Sequence, residues 1–321
     1  MKPNLFDWAT SELSQDAFLC WLFEWSKLKY KKLDIKLHEI SSKLILDFLG
    51  GYVKELKSVD VKKQYKNIDI VLVINKDYAI LIEDKVNAAN HSGQLKRYHE
   101  ILKEEFDESK IILIYLKTGD QSDLIAIEEK GYRPFMRKDL LAVLEKGVIT
   151  GITNDIFVDF YEKIKEKEEK VNSYKILPLV DWHWDSWKGY YSELQEELGG
   201  NWNYVAQRNG GFLGFWWFWQ AKDFNGHRFE YYLQLEHKKF CFKLVPNGKE
   251  KAREIRDYYR SLLYPAARKH NIEIYQNGRI GKWMTVAALR NDVRVEKADG
   301  LIDMGETIKN IRKIESMILD I

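Results

Sequence analysis

Apolar residues recur at helical spacing from Leu13 to Ser26 ("LSQDAFLCWLFEWS"). This predicts an amphipathic helix, with Ser14 as its N-cap and Asp16 in the first turn, where the helix dipole favours an acid. A second helical pattern covers about Ile40–Leu49 and stops at the pair Gly50–Gly51. The period then changes from helical to strand type. Strands are expected over roughly Val53–Lys63, Ile68–Ile74 and Tyr78–Glu83, the last two joined by the turn residues "NKD" as a tight hairpin. A helix from about Ser92 to Phe106 leads to the apolar run "KIILIYL" (Lys110–Leu116), a buried strand, and a further helix lies near Lys138–Glu145. Helix, three strands, helix, strand is the order of a mixed α/β sheet.

A charged segment, "DFYEKIKEKEEKVNSYK", follows. It reads as a linker helix or as the last helix of the first half, and the expected division is 1–150, a charged linker over 151–175, and 176–321. Eight of the 11 tryptophans lie beyond Ile176. Alternating strands ("HRFEYYLQLEH", "KFCFKLV"), a helix near Gly248–Lys269, a strand pair around Ile272–Val295 and a final helix Gly305–Leu319 make the second part an α+β domain rich in aromatics. Its tryptophans read as core, with those of "WHWDSW" the candidates for stacking on bases.

At 321 residues there is room for two such domains. No apolar run approaches the length of a membrane span, and the first residues lack a secretory signal pattern, so no membrane partner is expected. Cys20 and Cys241 read as separate buried thiols, which points to a reducing, cytoplasmic setting. The net charge of +2 is uneven. Lys238–Lys297 holds 15 Lys and Arg against 6 Asp and Glu, an excess of nine, leaving the remainder at −7. That block is either a solvated face or a phosphate-binding surface; Arg253, Arg256 and Arg260, three and four apart on one helix face, are its best phosphate contacts.

The chemistry centres on "NIDIVLVI" and "AILIEDK". Side chains alternate faces along a strand, so Glu83 and Lys85 share a face and Asp84 points away. The hairpin brings Asp69 beside Glu83, because both lie at the ends away from the turn. Two carboxylates suit Mg²⁺ or Mn²⁺, to which the Asp84 carbonyl could add, and a lysine two residues on could orient a water or stabilise a phosphoryl transition state.

This segment, Asp69-x13-Glu83-x-Lys85 set in a hairpin with a helix and an apolar strand after it, resembles the PD-(D/E)XK nuclease superfamily, with Ile68 in place of the motif's proline. The resemblance covers roughly residues 1–145 and implies a restriction-endonuclease-like αβββαβ core. It also implies a Mg²⁺- or Mn²⁺-dependent nuclease acting on nucleic acid, DNA first, in bacterial DNA processing or defence against foreign DNA such as phage. By the same resemblance Glu12 completes the metal shell, with Asp16 as runner-up. Gln94 and Tyr98 match the Q-x-x-x-Y pattern of the RecB-like branch and would hold the substrate, with Gln94 close to the chemistry. His91 reads as a helix-start residue. The competing class is a non-catalytic nuclease-fold module binding nucleic acid or protein. The C-terminal domain would then supply substrate contacts, a protein partner's surface or a homo-oligomer contact.

Overall fold

The computed structural model describes residues 2–87, 93–207, 210–248 and 250–321. The chain forms two compact units, Met1–Glu169 and Lys170–Ile321.

In the first unit, helices α1 (Glu12–Glu24) and α2 (Ile35–Leu49) precede strands β1 (Val59–Tyr65), β2 (Ile68–Ile74) and β3 (Tyr78–Lys85). Helix α3 (Gln94–Lys103), strand β4 (Ile111–Lys117), the short helix α4 (Ile125–Glu128), strand β5 (Arg133–Met136) and helices α5 (Arg137–Ile149) and α6 (Asp155–Asn172) follow. The strands form one sheet in the order β1-β2-β3-β4-β5. β1, β2 and β3 are antiparallel, and β3, β4 and β5 are parallel. The expected mixed sheet is therefore present, with one more strand at its far edge.

Alternation along β2, β3 and β4 assigns each side chain to one of two cores. Ile70, Leu72, Ile80, Ile82, Ile114 and Leu116 pack with α1, α2, α5 and α6 residues such as Leu19, Leu44, Leu140 and Phe160. Val71, Ala79, Leu81, Leu113 and Tyr115 pack on the other face with Leu95, Tyr98 and Leu102 of α3. Phe157, Phe160 and Ile164 of α6 sit in the first of these cores, so this helix is structural for the first unit and more than a linker. The cap of α1 is Ser11, whose side chain accepts from Ser14 N, and not Ser14. α2 begins a turn earlier than expected, capped by Asp34, and ends on left-handed Gly50 (φ 60°).

The second unit contains α7 (Trp184–Leu198), β6 (Asn201–Gln207), β7 (Gly210–Phe224), β8 (His227–Leu235), β9 (Phe240–Pro246), α8 (Ala252–Lys269), β10 (Ile274–Gln276), β11 (Met284–Leu289) and α9 (Met304–Leu319). Its six-stranded sheet, ordered β10-β11-β9-β8-β7-β6, is antiparallel at every pairing. One face packs an aromatic core, including Trp187, Tyr190, Phe215, Trp217 and Tyr259, against α7, α8 and α9. Trp182 and Trp187 of "WHWDSW" belong to that core, whereas Trp184 is 40% exposed. Cys20 and Cys241 are free thiols, and burial pushes both up to about 12. Among the described residues, no helix is long and apolar enough to cross a membrane.

Candidate active site

The register of the β2–β3 hairpin pairs Ile70 with Ile82, so Asp69 and Glu83 oppose each other one step further along. Both lie on the α3 face, with Val71 and Leu81 as their neighbours in that core. Lys85 joins them: its Nζ is 2.7 Å from Glu83 Oε1 and 3.4 Å from Asp69 Oδ2. It also donates to the Asp84 carbonyl at 2.9 Å, and Asp69 Oδ2 accepts from Asp84 N at 2.9 Å. Glu83 is fully buried, and Lys85 is nearly so.

Burial is costly for a charge, and the site shows that cost. Desolvation, then the nearby Asp69 charge, push Glu83 up to about 7 against the pull of Lys85. Desolvation acts to lower Lys85, but its ion pairs with Glu83 and Asp69 outweigh this and hold it above the usual lysine range as an ammonium.

Asp84 points to the opposite face, as alternation requires, and meets α1. Gln15 Nε2 donates to its Oδ1 at 2.6 Å, and Gln15 Oε1 accepts from Thr118 Oγ1 at 2.7 Å. Thr118 N donates to the Lys85 carbonyl at 3.1 Å, and the Thr118 carbonyl accepts from Arg137 Nη1 at 2.9 Å. Arg137 is in turn paired with Asp120 and Glu168. A buried polar chain thus fixes the end of β3 from behind. Next to Thr118, Gly119 is sterically required: a Cβ there would stand 2.0 Å from the Val86 carbonyl oxygen.

Asp16 is a correction to the sequence expectation. α1 begins at Glu12, so Asp16 lies beyond the first turn, and it is buried in this rear layer. Desolvation and the Asp69 charge raise its carboxyl to about 6, and burial raises Asp84 as well. Glu12 occupies the first position of α1, and its Oε1 accepts from Val86 N at 3.1 Å, just past Lys85. Burial lowers the pKa of Lys117, which lies beside Lys85 in the parallel β3–β4 register.

Gln64 carries no sequence signal but faces the site. It sits opposite Asp69 on β1 with φ 54°, in the left-handed region that a non-glycine residue rarely occupies. Its Nε2 lies 3.3 Å from Asp16 Oδ2 and 3.4 Å from Asp69 Oδ1.

Gln94 opens α3 after left-handed Gly93, and its Nε2 donates to Tyr98 OH at 3.1 Å. Tyr98 is buried in the α3 core, so it braces Gln94 and does not present an open face to a ligand. Among the described residues, no hydrogen bond joins Gln94 or Tyr98 to Asp69, Glu83 or Lys85. His91 and the expected helix start at Ser92 lie outside the described residues.

The basic block is corrected at Arg260. Its guanidinium donates to the Val286 and Asn277 carbonyls, leaving it committed to backbone and mostly buried. Arg256 pairs with Asp257, and Arg253 is exposed.

Among the described residues, no group of three or more His, Cys, Asp or Glu forms a ready metal cage. The pair Asp69–Glu83 nonetheless suits a hard cation. Both donors are carboxylate oxygens on one face; Glu83 Oε1 meets the Lys85 ammonium, and Glu83 Oε2 is buried without a hydrogen bond. The family model described as the PD-(D/E)XK nuclease superfamily matches residues 3–135. No curated protein and no solved structure matches the chain.

Proposed function

We propose that the first unit hydrolyses phosphodiester bonds in nucleic acid, DNA in the first instance, with a divalent cation, Mg²⁺ or Mn²⁺. The observation that carries this is the convergence of Asp69, Glu83 and Lys85 on one sheet face, with one ammonium touching both carboxylates. A nuclease superfamily match over the same residues supports it.

In this reading Asp69 and Glu83 hold the cation, with the Asp84 carbonyl and Glu12 next to them. When bound, the cation neutralises phosphate charge and acidifies water. Lys85, whose ammonium lies beside both carboxylates, would stand against the attacking water and the developing phosphoryl charge. Asp69 is oriented by the Asp84 N–H and by Gln64, and the β3 end is braced by Gln15, Thr118 and Arg137. Gln94, held by Tyr98, faces the incoming strand. Two thiols kept free and the absence of a spanning helix among the described residues agree with action on DNA in the cytoplasm, in processing or defence.

The test is cleavage of supercoiled, linear and single-stranded DNA and of RNA by the purified protein with Mg²⁺ or Mn²⁺, with Lys85→Ala as control. Metal-dependent cleavage lost in the variant supports the reading. Nucleic-acid binding without cleavage in any metal would make the domain a non-catalytic module.

A further inference from the structure

Strand β7 carries an irregularity that the first unit's chemistry does not use. Trp217 pairs with Leu233 and Gln220 with Tyr231, so Phe218 and Trp219 together oppose the single residue Tyr232. This is a β-bulge, a device that re-aims side chains. Phe218 stands at φ 58°, a position where a bulky residue is strained and glycine would be at ease. The result is that Phe218 packs against the aromatic core and Trp219 is sent to the other side of the sheet.

There Trp219 stacks on Tyr232, with ring centroids 4.0 Å apart and planes 16° from parallel. Trp283 meets both rings edge-on at 6.2 and 6.3 Å. Trp219 is 41% exposed and Trp283 is 53% exposed, so these two rings offer aromatic surface to solvent, while Tyr232 is buried beneath them. Lys282 Nζ lies 5.5 Å from the Trp283 ring centroid. The same Lys282 lines a groove of about 890 Å³ with Arg228, Glu230, Val245, Asn247 and Ile280. Arg228 and Lys282 in the groove, and Arg279 just before Ile280 of its lining, are exposed and make no ion pair among the described residues, against the one carboxylate Glu230 that lines the groove.

We propose that Trp219 and Trp283, with the buried Tyr232 ring behind them, form a stacking platform for unpaired bases, with Arg228, Arg279 and Lys282 taking the phosphates of the same single strand. Exposed aromatic rings beside unpaired cations match the two features of single-stranded nucleic acid, flat π-faces and a phosphate every nucleotide. A duplex hides its base faces and has no use for the rings. The proposal extends the nuclease reading by giving the second unit a substrate class, but the binding it describes needs no metal.

The test uses the full chain in EDTA, with a fluorescein-labelled oligothymidylate of about fifteen nucleotides and a duplex of equal length, read by anisotropy and by quenching of tryptophan emission. The single strand should bind more tightly than the duplex and quench emission. Trp219→Ala and Trp283→Ala should each weaken binding by about five- to a hundredfold, the span that follows from loss of one stacked base. Trp184→Ala should bind as wild type. Lys282→Ala and Arg279→Ala should each flatten the salt dependence, by about 0.7 log units per log of salt on a single strand. Wild-type affinity in Trp283→Ala would overturn the proposal, and so would equal affinity for duplex. Trp283 is half exposed, so this arm stands even where Trp219→Ala fails to fold. If the tryptophan variants change only the oligomeric state by gel filtration, a second copy covers the cluster and the proposal is wrong. Intact metal-free binding with no cleavage in any metal would instead defeat the nuclease reading alone.

Discussion

Lys85 Nζ stands 2.7 Å from the fully buried Glu83 Oε1, and this ion pair is the main charge compensation that Glu83 receives. A buried carboxylate stripped of its partner is strongly destabilised, by about 3–5 kcal/mol at the upper end. Glu83, already raised to about 7, lessens that loss by taking up a proton. Lys85→Ala should therefore fold with a lowered denaturation midpoint and lose cleavage by about a hundredfold or more. Urea unfolding and cleavage assays on the same preparation check both parts. An unchanged midpoint would show that the pair contributes little to stability.

If Asp69 and Glu83 hold a divalent cation, that cation binds the native state alone and must raise its stability. At a concentration one hundred times its dissociation constant, the gain is about 2.7 kcal/mol. Thermal unfolding with increasing Mn²⁺ should show a rising midpoint in the wild type and a flat one in Asp69→Asn. Equal shifts in both would place the ion elsewhere.

Gln64 holds a left-handed backbone and lies beside two carboxylates. Gln64→Gly removes the side chain and relieves the strain together. Stability should stay level or rise by about 1 kcal/mol, while cleavage falls by about ten- to a hundredfold as Asp69 loses its support. Rising stability with full activity would mean that the strain has no catalytic purpose.

Gln15 bridges Asp84 and Thr118 in a buried chain. Gln15→Ala leaves both partners unsatisfied and should cost about 1–3 kcal/mol by chemical denaturation. Ser11→Ala, which removes only the α1 cap, should cost about 1 kcal/mol and serves as the reference.

The Asp69, Glu83 and Lys85 arrangement was legible because a two-residue period and a short turn fix both face and register. Other parts carried no such rule. β5 is four residues long and contains Pro134, so it lacks both length and alternation. Asp16 satisfies a helix-start rule so well that its buried role behind Asp69 was hidden. Gln64 is an ordinary polar residue at a strand end until its backbone dihedral is known. Trp216, Trp217 and Trp219 are near neighbours in sequence, yet a bulge sends Trp217 into the core and Trp219 out of it, which no periodicity encodes. Arg260 keeps the helical spacing of a basic stripe, but carbonyls unseen in the sequence claim its guanidinium.

The most direct measurement is single-turnover cleavage of labelled DNA by the wild type and Lys85→Ala, each with Mg²⁺, Mn²⁺ or EDTA and each shown to be folded. The wild type should cleave with either metal and not in EDTA, and the variant should lose about a hundredfold or more. Cleavage by Lys85→Ala at the wild-type rate, or cleavage by the wild type in EDTA, would contradict it.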